Sequence, residues 1–181
     1  PDIPRIARRQ RQMCIRDRTN GEFAANLREQ QRLTLSEENV GMAVTMDIGD
    51  SLDIHPKIKK PVGKRLALWA LAKDYGYKNL THSGPLFKEV NFQKGKAIIS
   101  FDHIGSGLHC TNKKLKYFEI AGKDKIFQTA NAQIKGDKVI VWSKKVSTPL
   151  FVRYGWKNFL TPNFFNMEGL PASSFKSMNH L

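Results

Sequence analysis

Asp47-Ile48-Gly49-Asp50-Ser51-Leu52-Asp53-Ile54-His55-Pro56 places three carboxylates, a hydroxyl and an imidazole within ten residues. Histidine as a residue type titrates near neutral pH and moves protons there. A carboxylate beside it can hold one ring nitrogen and stabilise the imidazolium, which is the general-base half of a hydrolytic triad. His55 is therefore the candidate base and Asp53 the candidate orienting group. Asp50 is the rival carboxylate and Asp47 a more distant one. The bland alternative for His55 is a histidine that merely caps the helix after it.

Two elements must position this loop. Val40-Gly-Met-Ala-Val-Thr-Met46 is apolar enough to be a buried, parallel strand running to about Ile48. Pro61 suits a first helical turn, Val62, Leu66, Trp69 and Ala70 give a helical face, and Gly76 suits the end. Strand, loop, helix puts the Asp-His pair past the carboxyl end of a strand, where open α/β sheets gather their ligands and catalytic groups. Before the strand, Glu22 to Leu35 reads as a helix. Its apolar face would be Phe23, Leu27 and Leu35, with Arg28, Glu29 and Arg32 outward.

After Gly84-Pro85 the period changes from helical to alternating. Ala97–Phe101, Lys116–Ile120, Ala132–Lys135, Lys138–Trp142 and Leu150–Tyr154 read as short strands. Lys94-Gly95, Gly105-Ser106-Gly107, Gly122-Lys123-Asp124 and Gly136-Asp137 are the turns between them. This spacing predicts an antiparallel β-sandwich. The organisation expected is a basic tail over 1–20, an α/β piece over 21–80 and the sandwich over 84–178. The sandwich is expected to be the independently stable unit, since a lone buried strand leaves open edges.

Several ordered phrases resemble one family. They are Asp53-Ile54-His55-Pro56 followed by Val62-Gly63-Lys64-Arg65-Leu66-Ala67; Ser83-Gly84-Pro85-Leu86; Ile98 through Leu108; Phe118-Glu119-Ile120-Ala121-Gly122; Val152-Arg153-Tyr154-Gly155-Trp156; and Glu168 through Phe175. Together, residues 24–178 resemble the C-terminal part of a sialate O-acetylesterase, an SGNH-type carbohydrate esterase. The resemblance implies the closing strand–loop–helix of a three-layer α/β hydrolase domain followed by the sandwich. It implies a Ser-His-Asp mechanism on acetyl esters of sugars with no metal or other cofactor, in a protein that is mostly periplasmic or secreted. The family's serine stands in a Gly-Gln-Ser-Asn block far before the Asp-His block. This sequence contains no such block, so the resemblance implies a fragment whose partner is the missing N-terminal half of the same domain.

Gly49-Asp50-Ser51-Leu52 spells the signature of the GDSL hydrolases, but the spacing argues against Ser51 as nucleophile. Such a serine follows the first strand of its domain and meets a histidine from a distant block, whereas three residues separate Ser51 from His55. The common SGNH block also has its aspartate three residues before the histidine. Leu52 occupies that position here, so the choice between Asp53 and Asp50 stays open. A reading from another class is a non-catalytic β-sandwich that binds carbohydrate or a protein partner, with residues 40–75 a degenerate remnant.

The formal net charge is +14 over 181 residues. Six arginines and two aspartates within residues 1–18 supply +4 of it. The rest is mostly lysine scattered through alternating strands, and the aromatics do not interleave with it in a stripe. That pattern argues against nucleic acid. The tail shows no apolar period, and Met13-Cys14-Ile15-Arg16-Asp17 reads as a non-native sequence. No apolar run approaches a membrane span. Cys14 and Cys110 form no framework. Cys110 with His103 and His109 lacks the fourth ligand a zinc site wants. His82, His103 and His180 are expected as ordinary turn or surface residues, and Arg153 on a solvent face. Trp142, Tyr154 and Trp156 are read as core before sugar platforms. The loop Asn163 to Phe175 is long enough to pack the sandwich back against the preceding segment.

Overall fold

The computed structural model describes residues 22–51, 53, 55 and 57–177. The tail and His180 lie outside the described residues.

Helix α1 (Phe23–Leu33) runs into a 3-10 turn at Thr34–Ser36. Helix α2 (Lys60–Lys73) begins with Pro61 in its first turn, where the missing N–H costs no intrahelical bond. Among the described residues ten strands follow: β1 (Leu86–Gln93), β2 (Lys96–Asp102), β3 (Leu108–Cys110), β4 (Phe118–Ala121), β5 (Gln128–Thr129), β6 (Asn131–Lys135), β7 (Lys138–Trp142), β8 (Phe151–Tyr154), β9 (Phe164–Asn166) and β10 (Phe175–Lys176). All the pairings are antiparallel, in sheets ordered β1-β2-β7-β6, β10-β8-β4-β5 and β3-β9. The antiparallel sandwich expected from the turn spacing is present. Among the described residues no helix is long and apolar enough to cross a membrane.

Alternation builds the core. Ala97, Ile99 and Phe101 of β2 and Val139 and Val141 of β7 point inward from one sheet. Phe118 and Ile120 of β4 and Val152 and Tyr154 of β8 meet them from the other. Phe101, Phe118, Tyr154, Phe164 and Phe175 form an aromatic knot with ring centroids 4.7–6.5 Å apart. Burying each such ring is worth about 1.5–3 kcal/mol. Burial pushes the Tyr154 phenol well above its ordinary pKa.

Two expectations are corrected. Residues 40–45 carry no strand and 46–48 form a turn. Ala43 and Val44 are buried, but the segment joins none of the sheets among the described residues. A strand exists only as half of a ladder, and apolarity alone supplies burial without one. The inward face of α1 is also reversed. Ala24, Ala25 and Glu29 are buried while Phe23 is exposed. Arg28 donates to the carbonyls of Gly155 (3.0 Å) and Lys157 (2.6 Å), to that of Asn158 at 3.4 Å, and to Ser174 Oγ at 3.2 Å. Burial lowers its pKa to about 10, which leaves it charged at neutral pH. Arg32 forks onto Glu29 at 2.7 and 2.9 Å and lies over the Phe87 ring. A polar stripe faces inward because the sandwich presents carbonyl oxygens there, and these need donors.

The long loop after Asn163 packs back as expected. Asn166 is fully buried; its Nδ2 donates to the carbonyls of Ser83 and His103, and its Oδ1 accepts the Leu170 N–H. At Gly84 a Cβ would lie 2.1 Å from the Pro171 carbonyl oxygen, so only glycine permits this approach.

Candidate active site

The Asp-His motif lies between the turn at 46–48 and the start of α2. Asp47, within that turn, is fixed by a buried arginine on that helix. Arg65 donates to Asp47 Oδ1 at 2.7 Å, to Asp47 Oδ2 at 2.6 Å and to the Val44 carbonyl at 2.5 Å. Both side chains are largely withdrawn from solvent. A planar guanidinium meeting a carboxylate through two parallel bonds fixes orientation as well as position. Asp47 is thereby committed to Arg65, on the loop's floor. One turn later, Trp69 presses on the Gly41 backbone, where a Cβ would sit 3.0 Å from the Trp69 side chain.

Asp53 and His55 stand at the loop's outer rim. Asp53 Oδ1 accepts the backbone N–H of His55 at 2.8 Å and lies 3.7 Å from its Nδ1. The same oxygen thus closes a tight local turn and faces the imidazole, in reach of an ion pair and just beyond a direct hydrogen bond. The His55 side chain is 82% exposed and that of Asp53 44%, so a further group can approach His55 from solvent. Asp50 and Ser51 are exposed on the same loop. The arrangement brings a carboxylate to an accessible imidazole, which is the geometry for taking and returning a proton.

His82 and His103, expected as isolated turn residues, come together instead. Trp69 and His82 are 4.5 Å apart between ring centroids, His82 and His103 4.7 Å, and Trp69 and His103 5.8 Å. This cluster pins α2 to the rim of the sandwich. Burial lowers the His82 pKa; Lys73 adds to the effect and the Leu80 carbonyl opposes it. Burial likewise lowers His103, helped by His82 and Lys73 and opposed by Asp102. The imidazole rings meet edge to face, where two cations would repel. Trp69 Nε1 and His82 Nε2 are buried without a hydrogen-bond partner.

Arg153 also departs from expectation. It is not on a solvent face. Its Nε donates to Glu119 Oε2 at 2.7 Å and its Nη1 to Glu22 Oε1 at 2.5 Å. The guanidinium lies 4.1 Å from the Phe127 ring centroid. Alternation sends it outward from its sheet, but the residue just before α1 covers that face. Glu22 accepts from Trp156 Nε1 as well, at 2.8 Å. Burial would raise the Glu22 pKa, but the bonds from Trp156 and Arg153 outweigh it and hold the carboxyl low. Tyr154 and Trp156 are core residues, as read. Cys110 accepts weakly from Asn163 Nδ2 at 3.4 Å. Among the described residues no three His, Cys, Asp or Glu stand close enough to hold a metal.

Sequence reasoning missed Arg65 and Arg28 as structural donors. Arg65 had a signal: it lies four residues before Trp69 on one helix face, so burying the tryptophan buries the arginine. Arg28 had none, because its partners are carbonyls more than a hundred residues away.

No family model matches the chain. Sialate O-acetylesterases from Homo sapiens and Pongo abelii are each 37% identical to it over 87 residues, which is 46% of this chain and 16% of the relative. The enzyme of the same description from Mus musculus is 38% identical over 69 residues. The chain thus spans under a fifth of the length of these curated relatives. Among solved structures, a carbohydrate acetylesterase from Xanthomonas citri superposes with a TM-score of 0.83 at 44% identity. That match covers 89% of this chain and 38% of the other. On these likenesses the chain is a homologue of the sialate O-acetylesterases and of a carbohydrate acetylesterase that shares its fold.

Proposed function

We propose that this chain is the closing part of a carbohydrate O-acetylesterase of the SGNH type, exported to the periplasm or secreted. The observation that carries the reading is the Asp53-His55 pair, held on an accessible loop ahead of α2 in a chain 44% identical to a carbohydrate acetylesterase. His55 is the base, Asp53 its orienting carboxylate, and Asp50 the rival for that second role. The nucleophile is a serine from the part of the acetylesterase that this chain does not span.

In the assembled site the serine hydroxyl oxygen bonds to the acetyl carbon of an O-acetylated sugar while its proton passes to His55. The bond from the acetyl carbon to the sugar oxygen then breaks, and His55 returns the proton to that oxygen. Water, deprotonated by His55, attacks the acetyl-enzyme and releases acetate, and the serine recovers its proton. Asp53 stabilises the imidazolium in both halves. Arg65 holds the loop floor through Asp47 and does not touch the reacting atoms.

The test is reconstitution. The region of the Xanthomonas citri acetylesterase outside the matched segment is fused ahead of this chain, and acetate release from an acetylated sugar is followed. Activity in the fusion that falls by about 10³-fold or more in His55→Ala supports the assignment. Activity that survives His55→Ala, or disappears in Ser51→Ala, would overturn it.

A further inference from the structure

The outer face of the sheet β1-β2-β7-β6 is a regular grid. Register places Glu89, Ser100, Lys138 and Lys135 in one row across the four strands. Asn91, Ile98, Ile140 and Gln133 form the next, and Gln93, Lys96, Trp142 and Asn131 the third. The inward residues between them, such as Ile99, Val139 and Val141, are fully buried, so these twelve point away from the core. Ile98, Ile140 and Trp142 remain half-buried, an apolar floor rimmed by amides and lysines. Around Ile98 and Ile140, between Glu89, Asn91 and Gln93 on one side and Lys135 and Lys138 on the other, the surface sinks into a groove of about 390 Å³.

We propose that this face binds an acidic oligosaccharide, separately from the Asp53-His55 loop. Of the three aromatic residues suited to sugar stacking, Tyr154 and Trp156 are consumed by the core. Trp142 alone of these three is only half-buried, with Lys96 Nζ 6.0 Å from its ring centroid. Sugar rings offer apolar C–H faces to such a ring and hydroxyls to side-chain amides, of which the grid holds Asn91, Gln93, Asn131 and Gln133. Charge selects the class of sugar. Lys96, Lys135 and Lys138 face outward against one carboxylate, Glu89, so a chain carrying carboxylates complements the surface. An apolar floor with few charged groups would have suited a neutral glycan or a second copy of this chain instead. The inference does not rest on the esterase reading.

The test uses the full chain and three probes: an oligogalacturonate, its methyl-esterified form, and polyglutamate. Binding is followed by calorimetry and mapped by backbone amide chemical shifts. The expected result is a salt-sensitive complex with oligogalacturonate, with shifts centred on Ile98, Ile140 and Trp142. Neutralising the sugar carboxylates by methylation weakens it at least about tenfold, and Trp142→Ala does the same. The surface pair Lys135→Glu and Lys138→Glu abolishes it even if Trp142→Ala fails to fold. Polyglutamate of equal charge binds more weakly and leaves Trp142 unshifted. Absence of binding at millimolar sugar, shifts confined to another face, equal affinity for the methylated sugar, or equal affinity for polyglutamate would each overturn the proposal.

Discussion

Replacing Arg28 by leucine tests the unexpected face of α1 most directly. The guanidinium is partly buried and reaches Gly155, Lys157, Asn158 and Ser174 across more than a hundred residues of sequence. The Lys157 carbonyl can turn to water when the arginine is lost, and the Asn158 contact is long. The Gly155 carbonyl and the buried Ser174 hydroxyl are the two partners whose loss counts. Hydrogen bonds to a charged donor contribute about 1.5 kcal/mol each at the low end, so Arg28→Leu should cost about 3 kcal/mol. For a chain of this size that lowers Tm by about 6–12 °C. Thermal unfolding followed by circular dichroism measures it, with Phe23→Gln as the control. Phe23 is half-exposed, and its replacement should move Tm by no more than about 2 °C. If Phe23→Gln destabilises as much as Arg28→Leu, the apolar face of α1 is the one that packs, and the polar tether is incidental.

Protonating the paired histidines should weaken the fold. Both have lowered pKa values in the folded state, so the unfolded chain takes up protons first as pH falls. Stability is complete above about 6.5 and declines as pH drops through the unfolded value towards the folded ones; His103→Phe should flatten that slope in urea titrations between pH 7 and 5. Glu22 shows the same sign at lower pH, since its carboxyl is held low. The stability it contributes persists above about 4.5 and is lost as pH falls through its lowered value, and Glu22→Gln should remove that component from an acid-unfolding curve. Gly84→Ala should fail to give soluble protein or should lower Tm by more than about 10 °C, because its Cβ would meet the Pro171 carbonyl; a normal melting curve would show that this backbone approach is looser than described. The unfused chain should hydrolyse no acetyl ester above background, measured as acetate released. Turnover that is lost in Ser51→Ala would restore that serine as a nucleophile.

Where local pattern and tertiary packing agree, the sequence was sufficient. Lys138–Trp142 alternates cleanly after the Gly136-Asp137 turn, and β7 has those bounds. Pro61 and the spacing around Trp69 located α2 to within a residue. The nearness of Asp53 to His55 was also local, since two residues apart in a turn cannot be far apart in space. Strand β1 was missed because its irregular register at Phe87–Glu89 and its run of polar residues break the alternation that marks a strand. Residues 40–48 erred in the other direction. Their apolarity reported burial, and burial does not create the neighbouring strand that a ladder requires. The inward face of α1, the capture of Asp47 by Arg65, the edge-to-face contact of His82 with His103 and the enclosure of Arg153 by Glu22 were decided by tertiary structure alone. In each, a charged or titratable side chain is partnered by a group distant in sequence, often a backbone carbonyl that no residue type announces. Side-chain periodicity measures apolar area along a chain, whereas the fate of a buried polar group depends on which donors and acceptors the finished fold brings to it.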